Sequence, residues 1–93
     1  MITRNEYFNG NVQSLALQGH DKPVTVGVMA KGEYEFGTDA PELMRVVVGE
    51  LNAKLPGNSD WQSFKAGDEF HVPGDSKFQL QVPVDSAYLC FYG

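Results

Sequence analysis

The sequence has few of the features that mark disulfide-rich, nucleic-acid-binding or membrane proteins. Cys90 is the single cysteine, so no disulfide can form within the chain, and its place in the apolar run YLCFY predicts burial rather than reactivity. Seven Lys and Arg against 12 Asp and Glu give a net charge of −5, which argues against non-specific nucleic-acid binding. No apolar stretch approaches the length of a membrane span, and the first ten residues lack the apolar core of a signal peptide. We therefore expect a cytoplasmic protein that binds neither nucleic acid nor membranes.

No stretch shows helical periodicity long enough to predict a helix. Histidine is also scarce. His20 lies in a polar loop and is expected to face solvent. His71 alternates with Phe70 and Val72, so it is expected to face outward if those two are buried. Neither histidine has a Ser or Cys nucleophile at a recognisable spacing, which argues against a hydrolytic triad.

The chain does contain short β-type segments separated by turn signals such as Asn9-Gly10 and Pro56-Gly57. Its 93 residues suit a single domain, 1–93, with a modest core, so further burial against a partner subunit is expected. The pattern predicts an all-β sandwich or barrel whose closure hides the strand edges. The predicted strands span residues 11–18, 24–29, 32–36, 43–48, 51–55, 61–64, 69–72, 77–82 and 87–92.

Three carboxylates stand between two glycines in the segment GVMAKGEYEFGTDAPELMRVVVG. From Gly27, five residues lead to Glu33-Tyr34-Glu35, six more to Glu42 and six more to Gly49. This spacing resembles the first cupin motif, in which a glycine is followed by a His-x-His pair, a later Glu and a closing glycine. The resemblance implies a single-domain, cupin-like antiparallel β-barrel of the jelly-roll type.

A second spacing resembles the opening of the second cupin motif, since five residues separate Gly67 from Pro73. In metal-binding cupins, the histidine pair, the Glu and a histidine five residues after the proline hold the metal. The corresponding residues here include no histidine; they are Glu33, Glu35, Glu42 and Phe78. Three carboxylates could still hold a hard cation such as Mg²⁺, which stays an alternative. The set suits zinc or iron poorly, so we expect no dedicated metal and no cofactor.

A narrower resemblance covers nearly the whole chain. The runs NEYFNGNV, VGVMAKGEYEFGTDAPELM and DWQSFKAGDEFHVPGDSKFQLQV, and the ending YLCFYG, are similar to those of the pyrimidine/purine nucleoside phosphorylases, a family of small cupins. The resemblance implies a homodimeric pentosyltransferase that converts purine and pyrimidine nucleosides plus phosphate to free base and ribose 1-phosphate. It supplies no catalytic residues. A non-catalytic cupin that binds a small molecule is the alternative, because a fold does not fix a chemistry.

Chemistry and strand alternation select the candidate catalytic residues. Alternation places Glu33 and Glu35 on one face, which the cupin spacing predicts to be the inner one. Carboxylates near a ribose can hold its hydroxyls and stabilise an oxocarbenium-like transition state. Glu42 could protonate or steady the leaving base. If these carboxylates instead point to water, the pocket is apolar and the assignment of Glu33 and Glu35 fails.

Substrate binding calls for cations and aromatic rings. Phosphate favours Arg, Lys or free backbone N–H groups, so Arg45, Lys77 and the turn 74–76 are candidates. Aromatic rings stack on bases of any identity, which suits a broad specificity. The candidate rings belong to Tyr34, Phe78 and Tyr88. The alternative interpretation makes the aromatic residues core and the cations strand-edge charges that limit aggregation.

Overall fold

The computed structural model describes the whole chain, Met1–Gly93. Ten strands account for most of it, and the single helical element is the three-residue turn Phe8–Gly10, where Phe8 and Asn9 have left-handed backbone angles. No helix is long and apolar enough to cross a membrane. The strands are β1 (Thr3–Tyr7), β2 (Val12–Leu17), β3 (Val24–Met29), β4 (Gly32–Thr38), β5 (Glu42–Val48), β6 (Glu50–Lys54), β7 (Gln62–Lys65), β8 (Glu69–Val72), β9 (Ser76–Val82) and β10 (Ser86–Tyr92).

The strands form two antiparallel sheets. One has six strands in the order β1-β2-β3-β10-β5-β8, and the other has four in the order β4-β9-β6-β7. The all-β antiparallel architecture expected from the sequence is confirmed. The two sheets lie face to face as a sandwich, and no hydrogen-bonded ladder closes them into a continuous barrel. The space between them is where a ligand could be enclosed.

The core lies between the sheets and follows strand alternation. On β9, the predicted inward set Phe78, Leu80 and Val82 is buried, with Phe78 only 1% exposed. On β6, Leu51 and Ala53 are buried and their neighbours are not, which confirms the predicted half-buried alternation. Fourteen buried residues make one apolar cluster that draws on both sheets. Burying each large side chain contributes about 1.5–3 kcal/mol, so this cluster holds the sheets together.

The inner and outer faces of β4 are opposite to the expectation. Tyr34 is buried and Phe36 half-buried, whereas Glu33 and Glu35 are exposed. The outward side chain of Glu35 accepts a hydrogen bond of 2.8 Å from Gln79 Nε2 on the neighbouring strand. The prediction that Glu33 and Glu35 face inward is therefore wrong. Because side chains alternate, the strand can bury either the aromatic pair or the carboxylate pair, and burying unpaired charge costs far more.

Candidate functional site

A cavity of about 310 Å³ lies between the sheets. That volume is at the lower end of the range for small-molecule pockets, about 300–1,000 Å³. Tyr7, Gly37 and Asp39 are exposed and mark its mouth. Its other lining residues are Ser14, Met29, Phe36, Ala40, Glu42, Met44, Phe78, Tyr88, Cys90 and Tyr92.

Two phenyl rings form the apolar side of the cavity. Phe36 and Phe78 pair directly across β4 and β9, and their ring centroids lie 5.7 Å apart with the planes 27° from parallel. Phe78 stands at one of the positions that correspond to metal ligands in metal-binding cupins, and Phe36 adds a second apolar ring beside it. The geometry therefore suits a flat apolar group, such as a heterocyclic base, better than an ion.

Strand β10 provides the polar-tipped side of the cavity. Its alternate residues Tyr88, Cys90 and Tyr92 all point inward, and the hydroxyls of Tyr92 and Thr25 share a hydrogen bond of 3.2 Å. Burial raises the pKa of both Tyr88 and Tyr92 above the usual value, so both phenols stay protonated at neutral pH. They can donate hydrogen bonds to a bound polar ligand.

Gly27 gives Tyr88 the room to take this position. The two residues pair across β3 and β10, and a Cβ on Gly27 would overlap the Tyr88 ring. The tyrosine ring therefore lies directly over the glycine backbone. The first glycine of the cupin-like spacing thus has a steric role at the cavity wall.

Glu42 is the one half-buried carboxylate of the cavity. It is the first residue of β5 and lies in register between Tyr92 of β10 and Val72 of β8. Burial raises its pKa above the ordinary value, and a hydrogen bond donated by Cys90 Sγ to Glu42 Oε1 at 3.4 Å partly opposes that increase. A carboxyl group with a raised pKa at a cavity wall can act as a general acid.

Cys90 supports this carboxyl group from the adjacent strand. The thiol is buried, as the sequence predicted, and burial together with the charge of Glu42 raises the pKa of Cys90 to about 12. Cys90 therefore remains a protonated thiol that donates to Glu42, and it is not a nucleophile.

The raised pKa of Glu42 predicts how stability depends on pH. The folded protein holds the Glu42 proton more tightly than the unfolded chain, in which the pKa of the carboxyl group has its ordinary value of 4.5. The protonated carboxyl group therefore contributes to the free energy of unfolding. That contribution is fully present below pH 4.5 and is lost as pH rises through the higher pKa of the folded protein. Glu42→Gln removes it, so the variant should gain stability relative to the native protein as pH rises. Urea unfolding of both proteins at pH 4.5, 6 and 8 measures the difference; a constant difference would contradict the shift.

Of the eight predicted site residues, three reach the cavity: Glu42, Phe78 and Tyr88. Glu33 and Glu35 point away from it into solvent. The alternative of a hard cation held by all three carboxylates is therefore contradicted, and no three His, Cys, Asp or Glu side chains converge elsewhere. Tyr34 is buried beside the cavity and does not line it; its hydroxyl donates to Ala30 O at 2.6 Å, and its ring packs on Phe8.

The predicted phosphate ligands also lie outside the cavity. Arg45 is on the outer face of the six-stranded sheet, where its Nε donates to Glu69 Oε2 at 2.7 Å and its guanidinium lies over the Phe91 ring. Lys77 is exposed beside a shallow depression at the end of β9. In the turn 74–76, Ser76 N already donates to Thr38 Oγ1 at 3.1 Å, so this amide is not free for an anion. No Lys or Arg lines the cavity.

The sequence reasoning missed several lining residues, including Tyr7, Ser14, Cys90 and Tyr92. The signal for the last two was the alternation of the final strand, which puts Tyr88, Cys90 and Tyr92 on one face. Tyr7 and Ser14 reach the cavity because β1 pairs with β2 and β2 with β3, and the non-local pairing of β3 with β10 brings these strands to the cavity wall. No local pattern marks them.

Comparison with known proteins gives the family. The family model for pyrimidine/purine nucleoside phosphorylase matches residues 2–92. The chain belongs to this family. It is 63% identical over 92 residues to a pyrimidine/purine nucleoside phosphorylase of Pseudomonas putida, and the match covers 99% of this chain and 98% of that protein.

Solved structures confirm the cupin-like fold. A protein of unknown function from Vibrio parahaemolyticus superposes with a TM-score of 0.96 at 49% identity, covering 100% of this chain and 99% of the other. An RmlC-like cupin from Shewanella frigidimarina superposes with a TM-score of 0.76 at 21% identity, covering 99% of this chain and 81% of the other. At that identity the second likeness concerns the fold alone.

Proposed function

We propose that this protein is a pentosyltransferase that uses phosphate to cleave purine and pyrimidine nucleosides into free base and ribose 1-phosphate. Family membership and the name of the 63% identical relative support the activity. The observation that carries the chemistry is the half-buried Glu42, with its raised pKa, at the wall of an aromatic cavity. The proposed substrates are nucleosides and inorganic phosphate. The residues proposed to bind them belong to one domain, 1–93.

The cavity suggests how a nucleoside is held. The base lies against the Phe36–Phe78 pair, where stacking is indifferent to base identity and therefore suits both purines and pyrimidines. The ribose points toward Glu42 and the phenols of Tyr88 and Tyr92, which can hydrogen-bond its hydroxyls. Glu42 and Phe78 keep the roles predicted for them, whereas Tyr88, predicted to stack on the base, is assigned to the ribose. Phe36 replaces Tyr34 as the second stacking ring.

Bond cleavage needs a proton for the departing base. As the C1′–N bond breaks, its electron pair leaves with the base nitrogen and positive charge develops on the sugar. The Glu42 carboxyl group donates its proton to the base, and the resulting carboxylate stabilises the neighbouring oxocarbenium-like centre. A phosphate oxygen then forms the new bond to C1′. One carboxyl group can act first as proton donor and then as stabilising carboxylate if it is protonated before cleavage. Burial of Glu42 favours the protonated form.

Base release decides between the candidate functions. The purified protein is incubated with adenosine or uridine, with and without inorganic phosphate, and free base and ribose 1-phosphate are measured. Release that needs phosphate is the expected result. Release without phosphate would identify a hydrolase, and binding of nucleosides with no release would favour a non-catalytic binding protein.

We also propose that the protein is a cytoplasmic homodimer, a location that its one buried free thiol suits. The outer face of the six-stranded sheet is largely apolar, and its central row is Leu15, Val26 and Leu89, across β2, β3 and β10. Arg4 lies at one end of this row, and the ion-paired Arg45 and Glu69 lie at the other. A two-fold axis between β3 and β10 would set Arg4 of one subunit opposite Glu69 of the other and bury both apolar rows.

A charge placed in this row should separate the subunits. Val26 is 37% exposed and lies at the centre of the face. The substitution Val26→Asp would bury an unpaired carboxylate in the dimer. Light scattering should report a dimer for the native protein and a monomer for this variant. Val84→Asp is the matched control, because Val84 is 51% exposed in the turn between β9 and β10 and lies off the face. A native monomer, or a Val26→Asp dimer, would contradict the interface.

A further inference from the structure

A phosphate ion has no cationic partner in the cavity. None of the cavity's 13 lining residues is Lys or Arg, and two of them, Asp39 and Glu42, are acids. Phosphate binding in proteins relies on cations and N–H donors, which form short charge-assisted hydrogen bonds. Any cationic partner of the anion must therefore come from outside the cavity lining.

A second, smaller cleft meets the cavity at Glu42. It has a volume of about 250 Å³, and Glu42 lines both spaces. Two nitrogen donors line the cleft, Lys22 from the loop between β2 and β3 and His71 from β8. With liquid water occupying about 30 Å³ per molecule, the cleft has room for roughly eight waters, so the five heavy atoms of phosphate fit.

We propose that this cleft is the phosphate subsite, with Lys22 and His71 as the anion-binding side chains and Glu42 at the junction with the nucleoside cavity. The inference rests on the proposed function, since it assigns the place of that reaction's second substrate. It replaces Arg45 and Lys77, neither of which lines the cleft, and Arg45 is ion-paired with Glu69.

The loop that carries Lys22 is fixed to the end of β10. Tyr92 N donates to Pro23 O at 3.0 Å, and Gly93 N donates to Pro41 O at 2.8 Å. Lys22 Nζ itself donates to Gly93 O at 2.9 Å. An ammonium group has three donors, so two remain for an anion. These bonds place the lysine beside the first residue of β5 and reduce the entropy lost when it binds a ligand.

His71 approaches from the opposite edge. It faces outward on β8, as predicted, and pairs with Leu43 of β5, the residue that follows Glu42. Imidazole has at least one N–H donor in either neutral tautomer and two when protonated. Lys22 and His71 therefore present donors from two different elements to one space.

The position of Glu42 completes the proton balance. An oxygen of hydrogen phosphate in the cleft forms a bond to C1′ while the C1′–N bond breaks and its electron pair goes to the base. The base takes the Glu42 proton from the cavity side. The remaining phosphate proton passes to the Glu42 carboxylate, which is restored for the next turnover. A neutral carboxyl group also avoids repelling the incoming anion.

The test measures phosphate affinity in full-length Lys22→Gln and His71→Asn proteins. With uridine saturating, each variant should raise the KM for phosphate about tenfold, the loss expected for one charge-assisted hydrogen bond, while the KM for uridine is unchanged. Lys22→Arg should retain most of the affinity. Lys31→Gln, an exposed lysine in the β3–β4 turn that lines neither space, is the matched control and should behave as the native protein. Titration of each protein with inorganic phosphate alone, followed by calorimetry, gives a second measurement that needs no catalysis.

The outcomes separate the subsite from the proposed function. If the native protein releases base with phosphate but both variants keep the native phosphate KM, the subsite is wrong and the function stands. If the native protein releases no base, the proposed function is wrong, and the calorimetric titration decides the subsite. Phosphate binding that Lys22→Gln and His71→Asn weaken supports the subsite, and no binding, or equal binding by all variants, overturns it. Thermal unfolding checks that both variants are folded.

Discussion

Glu42→Gln should lower kcat for nucleoside phosphorolysis by about 100-fold or more, the contribution of a positioned general acid. The amide matches the carboxyl group in shape and can still accept the Cys90 hydrogen bond, but it has no proton to give to the leaving base. Because the native side chain is a half-buried acid whose charged form burial disfavours, the variant should fold at least as well as the native protein. Steady-state release of base from uridine, beside urea unfolding, measures both effects.

The same substitution at two other positions provides the control. Glu33→Gln and Glu35→Gln are chemically identical changes on the outer face of β4, away from the cavity. Both variants should keep native kcat and KM. A fall in kcat for either one, with Glu42→Gln unaffected, would restore the catalytic role first predicted for Glu33 and Glu35 and overturn the site built around Glu42.

Strand positions could be predicted because the information is local. Val24–Met29 is β-branched and apolar, and Ser76–Val82 alternates cleanly, so both strands form within a residue of the predicted bounds. Burial then follows from alternation, as at Phe78 and Leu80. The cupin-like spacing added the arrangement of the strands, which alternation alone cannot supply.

The inner face of β4 shows where spacing misled. Counting from Gly27 selects Glu33 and Glu35, whereas the inward-facing residues are Tyr34 and Phe36, one position later in each case. A shift of one residue reverses every side chain of a strand. The aromatic pair was visible in the sequence, and the cost of burying two unpaired carboxylates should have outweighed a motif that had lost its histidines.

The cleft beside Glu42 could not be predicted from the sequence, because its parts are distant in the chain. Lys22 precedes β3 and His71 lies on β8, and they meet only because β10 ends against the Lys22 loop and β5 pairs with β8. Each residue alone has the ordinary appearance of a solvent-exposed polar side chain. Their relation to Glu42 exists only in the folded chain.

Gly27→Ala should destabilise the protein by about 1–3 kcal/mol, the usual cost of forcing extra volume into a packed site. The added methyl group would overlap the Tyr88 ring, and Gly27 has no positive φ, so the cost is steric and not conformational. For a chain of this size, about 1 kcal/mol corresponds to a fall in Tm of roughly 4–8 °C. Gly37→Ala is the matched control, because its Cβ would approach nothing closer than Ser76 O at 3.9 Å.

A double-mutant cycle ties this effect to Tyr88. Tyr88→Ala alone should be destabilising, since it empties part of the cavity wall, but combining it with Gly27→Ala should cost less than the sum of the two changes. Fully additive free energies of unfolding would show that the methyl group is accommodated without the ring. The Gly27→Ala protein should also bind nucleosides more weakly, because a displaced Tyr88 ring must move into the space that Glu42 and Phe78 line. The glycine that opens the cupin-like spacing would then have a steric role, since it sets the position of a cavity-wall tyrosine.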